Sequence, residues 1–106
     1  MYHEEIMPKS LERLIVCMCA DYPRRQSVIE NRTAPFTVIM EYRFLNYRMM
    51  NAAMEVAGSR DALAFINDIG KNIGYAKTSL YALSESVYKE RKEGVKQNIA
   101  RRLSLY

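Results

Sequence analysis

Apolar residues recur every three to four positions along nearly all of this chain, and nowhere do they alternate with polar ones as a half-buried strand requires. No Asn-Gly or Asp-Gly pair is present to close a tight hairpin. The chain therefore reads as all-α. Its 106 residues, 49% hydrophobic and 26% charged, have the composition of a folded protein and too little length for two cores. The expectation is a single domain over residues 1–106, a compact bundle of five or so helices.

Breakers divide the pattern. A first helix begins at Pro8 and carries Leu11, Leu14, Ile15 and Met18 on one stripe. It is expected to end or kink at Tyr22, because Pro23 biases the residue before it away from helical geometry. Pro23 to Glu30 then restarts as a short helix with Val28 and Ile29 inward, and Asn31 to Pro35 breaks the chain. The longest pattern runs from Pro35 to Ala57, with Phe36, Met40, Phe44, Tyr47, Met50, Met54 and Ala57 at spacings of three and four. Val38, Ile39, Leu45 and Met49 widen the apolar face, so this is the expected central helix, touching neighbours on more than one side. Its Met-rich stripe reads first as core filler, although such stripes also form adaptable binding grooves. Gly58 stops it, and Ser59 is a candidate N-cap with Asp61 in the first turn that follows. The next helix carries Leu63, Ile66, Ile69 and Ile73 and stops at Gly74. From about Lys77 the chain is mostly helical again, and Gly94 leaves open whether this is one helix or two.

Several function classes fall away. The longest apolar runs, such as Leu14 to Ala20, are shorter than a bilayer requires, so no membrane association is expected. Glu4 and Glu5 stand where a signal peptide would carry Lys or Arg, which suggests a cytoplasmic protein. Cys17 and Cys19 point to different sides of a helix and are expected to be buried, reduced thiols. His3 is the sole histidine, too near the terminus for a general base or metal ligand. No nucleophile elbow, phosphate loop, dinucleotide glycine pattern or zinc motif is present. The chain is therefore not expected to be an enzyme, nor to hold a metal or cofactor. The balance of 16 Lys and Arg against 12 Asp and Glu gives a net charge of +4, and the excess lies in the second half. A basic surface favours an acidic partner such as nucleic acid.

One local constellation stands out. Residues 66–85, INDIGKNIGYAKTSLYALSE, have the layout of two short helices crossing at a tight turn. Gly70 is small where such helices come closest, and Gly74 sits where the turn needs a positive φ. Ile69 and Ile73 before the turn, Tyr75 after it, and Leu80 and Leu83 beyond form a shared apolar core. The segment resembles the helix-turn-helix of phage-type repressors and of sigma-factor-like promoter-recognition helices. The basic stretch YKERKEGVKQNIARRLSL is similar in character to small regulators of phages and mobile elements of Gram-positive bacteria.

That resemblance implies a small transcriptional regulator binding double-stranded DNA. Its second helix would start at Ala76 or Lys77 and turn Lys77, Thr78, Ser79, Tyr81 and Ala82 outward. Lys77 would reach a guanine or a phosphate, and Thr78 and Ser79 would donate to either. Lys71, Lys89, Arg91, Lys92 and Lys96 would position the phosphate backbone. A homodimer would supply two half-sites, with the Pro35 to Ala57 helix and the C-terminal helix as candidate dimer surfaces. Arg24, Arg25 and Arg32 would extend the footprint or pair locally with Asp21, Glu30 and Glu41. The alternative is a helical protein–protein interaction module that binds through its Met- and Tyr-rich faces, the Gly74 turn being only a bend. RNA binding on Tyr81 and Tyr88 is a further, lesser option.

Overall fold

A computed structural model describes residues 7–105. His3, Glu4 and Glu5 lie outside the described residues. The chain is all-α: among the described residues α1 spans Lys9–Asn31, α2 Phe36–Ala57, α3 Ala62–Lys71 and α4 Glu85–Arg102, with a 3₁₀ turn at Tyr75–Lys77. Among the described residues four helices stand where about five were expected; one correction accounts for the difference, and a second moves the start of the last helix.

The first concerns Pro23, which lies inside α1 and neither ends nor divides it. Proline there removes one backbone hydrogen bond and costs about 3 kcal/mol. The buried positions Ile15, Cys19, Tyr22, Arg25 and Ile29 continue at helical spacing across it, and packing along that line holds α1 together. The helix ends only at Arg32, whose φ of 53° is left-handed and whose N–H donates to the Val28 carbonyl.

The second concerns the corner after α3. No α-helix begins at Ala76 or Lys77; the 3₁₀ turn gives way to irregular chain until Ser84 caps α4. The Ser84 hydroxyl accepts from the Val87 N–H at 3.3 Å. Gly74 has φ −105°, so it supplies no positive φ. Asn72 does so instead, at φ 55°, and its N–H donates to the Asp68 and Ile69 carbonyls. Gly70 does mark a close approach, but of α3 to α1: a Cβ there would lie 2.6 Å from the Ala20 nitrogen. The α3 N-cap is Asp61, not Ser59. α4 runs unbroken through Gly94, where a Cβ would meet the Val56 side chain at 3.0 Å.

The core joins Ile15 and Cys19 of α1, Met49, Ala52 and Ala53 of α2, Phe65, Ile66 and Ile69 of α3, and Tyr88, Val95 and Ile99 of α4. Of the residues expected inward on α2, Met49 is buried and Leu45, Met50 and Ala57 pack against the core, but the rest of the stripe turns outward. The buried side of α2 carries Asn46, Met49, Ala52 and Ala53, while Phe36, Met40, Phe44, Tyr47 and Met54 face solvent. At 100° per residue, Met40 and Met49 are about 180° apart. The two alanines explain the choice: small side chains let α2 lie close to its neighbours, which the bulky stripe would hold off. Cys19 is buried as expected, but Cys17 is exposed, on the opposite side of α1.

Candidate functional site

The structure divides the residues expected to meet DNA. Lys71, Lys77, Ser79, Tyr81 and Ala82 are exposed, on the end of α3, in the 3₁₀ turn and on the irregular chain beyond it. Thr78 is buried. Its hydroxyl donates to Asp68 Oδ2 at 2.5 Å, and the same oxygen accepts from the Tyr88 hydroxyl at 2.7 Å. Thr78 also accepts the Leu80 N–H at 3.1 Å. The Tyr75 hydroxyl donates to the Leu83 carbonyl at 2.6 Å, and Tyr75 and Phe65 pack against the Tyr88 ring. Ile69 is in the core and Leu80 packs against it. The corner is thus held from inside by a buried carboxylate and two hydroxyls. Burial, and then the Asp68 hydrogen bond, push the Tyr88 hydroxyl up to about 12. Tyr88 is consequently no stacking platform for RNA, being fully enclosed.

The basic residues expected along a phosphate backbone are largely engaged with the protein. Lys89 pairs with Glu85 at 2.8 Å. Lys96 lies between Glu12 and Glu93. The Lys92 ammonium donates to the Ile73 carbonyl at 2.7 Å and lies over the Tyr88 ring, and burial lowers its pKa. Arg24 makes a two-pronged pair with Asp21 at 2.6 and 2.8 Å. Arg25 is 4% exposed and donates to Asn46 Oδ1, Asp21 and the Met18 carbonyl. Local pairing therefore accounts for Arg24 and Arg25.

Neither Asp68 nor the Arg25–Asn46 pair was anticipated as part of a polar network. Each does leave a trace, as one polar residue in line with apolar ones: Asp68 beside Phe65, Ile66 and Ile69, and Arg25 beside Tyr22 and Ile29.

The most unusual surface is on α2. Phe36 is 74% exposed, Tyr47 66% and Phe44 62%, and Met40 and Met54 lie on the same side. Side chains of this size carry about 150–250 Å² each, so the stripe presents roughly 500–600 Å² of apolar surface, at the upper end of what monomers expose. Glu41 and Arg48 edge it on one side and Arg43 on the other. The Arg48 guanidinium lies 5.2 Å from the Phe44 ring centre and donates to the Arg102 carbonyl. Beside the stripe, a groove of about 490 Å³ between α1 and α2 is lined by Tyr22, Gln26, Arg32, Arg43, Asn46 and Tyr47.

Among the described residues no cluster of His, Cys, Asp or Glu could hold a metal ion, and no helix is long and apolar enough to cross a membrane. The Cys19 thiol is pushed up to about 12 by burial, which suppresses the thiolate that nucleophilic chemistry needs. No family model, no curated protein and no solved structure matches the chain.

Proposed function

We propose that this chain is a helical protein–protein interaction module whose contact surface is the outer face of α2. One observation carries the reading: Phe36, Phe44 and Tyr47 stand mostly in solvent on one side of one helix, with Met40 and Met54 half-buried beside them, while Asn46, Met49, Ala52 and Ala53 of the same helix fill the core. Elsewhere the exposed large apolar residues, such as Leu14, Leu63 and Tyr81, belong to other elements and do not form such a row. A contiguous apolar stripe with charged edges is the pattern of a helix that receives another helix. The occupant is accordingly a protein that offers an apolar helix face. Major-groove reading would need a protruding α-helix after Gly74, and that segment is a 3₁₀ turn and a loop with Thr78 turned inward.

The test is a photo-activatable phenylalanine analogue at position 44, with the same analogue at Lys77 as control. Protein cross-links from position 44 and not from position 77 are the expected result. The opposite pattern, or salt-dependent duplex binding abolished by Lys77→Glu with Ser79→Glu, would overturn the reading.

A further inference from the structure

Resting on that reading, we infer that the protein seated on α2 is a second copy of the same chain, with the two α2 helices antiparallel. The stripe has a heptad rhythm: Met40, Phe44, Tyr47, Asn51 and Met54 lie at alternating steps of four and three. Glu41, Arg48 and Glu55 follow one edge, and Phe36, Arg43 and Met50 follow the other. Two-fold antiparallel pairing brings like edges together, and the rhythm then sets Phe44 against Tyr47 of the second copy and Met40 against its Asn51. In that register Glu41 faces Arg48 of the second copy, twice by symmetry, and Arg43 lies along the Met50 side chain. Parallel pairing instead joins unlike edges and sets Arg43 beside Arg48 of the second copy, a like-charge contact. The charge pattern thus complements itself in one orientation only.

Two further facts fit. Glu41 makes no ion pair among the described residues, so its carboxylate is free for such a partner. With Glu41, Arg43, Arg48 and Asn51 added, the stripe approaches the roughly 800 Å² per partner of a standard specific interface.

Sedimentation equilibrium of the full chain over micromolar to millimolar concentrations reads the association. The expected result is a dimer. Phe44→Asp should weaken it at least about 100-fold. Glu41→Arg should weaken it about tenfold, and Glu41→Arg with Arg48→Glu should restore it. Met40→Cys with Asn51→Cys, in a Cys17→Ser background, should oxidise to a 40–51 interchain disulfide, whereas parallel pairing would give 40–40 and 51–51 bridges. A parallel bridge pattern, a dimer indifferent to Phe44→Asp, or failure of the charge swap to restore association overturns the proposal. A chain that stays monomeric yet cross-links a different protein from position 44 rejects the second copy and keeps the interaction surface. A monomer that instead floats with phosphatidylserine vesicles through Phe44 rejects both in favour of a lipid surface, and a monomer showing neither also rejects both.

Discussion

The corner between α3 and α4 hides an aspartate and a threonine, while the outer face of α2 leaves two phenylalanines and a tyrosine in water. Both run against ordinary partition, and they mean different things. In the corner, Asp68 is enclosed with two hydroxyl donors, so its polarity is spent within the fold and shapes a loop that no regular helix spans. On α2, among the described residues, only the Arg48 guanidinium over Phe44 touches the most exposed rings from outside the stripe, so they point outward to something else. A residue that looks functional because it is polar and near a turn can be internal stitching, and one that looks like core can be surface.

Substitutions should separate the two regions, because the corner governs stability and the stripe does not. Asp68→Ala leaves the Thr78 and Tyr88 hydroxyls enclosed without their acceptor and should cost about 3 kcal/mol in denaturant unfolding. A loss below 1 kcal/mol would mean the corner is not held from inside. Gly70→Ala places a methyl against the α1 backbone and should cost about 2 kcal/mol, despite alanine's better helix propensity.

Tyr88 sharpens the comparison through pH. Its folded-state pKa of about 12 lies above the ordinary 10.0, so its contribution is fully present below pH 10 and is lost as pH rises towards 12. Cys19, raised from 9.0 to about 12, acts in the same direction. Unfolding titrations should therefore show stability declining above pH 9 to 10, and Tyr88→Phe should remove the part that begins near pH 10. An unchanged alkaline profile in that variant would place the effect elsewhere. Phe44→Asp should have the smallest effect on the stability of the monomer, within about 0.5 kcal/mol, measured at concentrations too low for association. A large loss there would return Phe44 to the core and remove the contrast.

Much of the architecture was legible in the sequence. The three-to-four spacing of apolar residues announced helices, and Asn31 to Pro35 and Gly58 marked real boundaries because backbone restrictions act locally. What went unread depended on contacts distant in the chain. Pro23 is a local breaker overruled by buried residues on both sides of it. On α2 the spacing marks a broad apolar face, of which the core takes the Met49 side, because close helix packing rewards Ala52 and Ala53. The Gly70 to Gly74 spacing suggested a corner with a following helix; Asn72 took the left-handed position, and Thr78 turned inward to a carboxylate ten residues back. Of the candidate site, the sequence offers the Pro35 to Ala57 helix as a contact surface, but periodicity reports that a helix has two sides and not which one its neighbours take.

The Arg25 guanidinium, clasped by Asn46, Asp21 and the Met18 carbonyl, bears on whatever grips α2 from outside. Greasy helix contacts can slide by a turn at modest loss, but a guanidinium buried between two helices keeps its Asn46 hydrogen bond in one relative position only. Sliding α2 along α1 would leave that charge enclosed without Asn46, so the α1–α2 hairpin is held in one register.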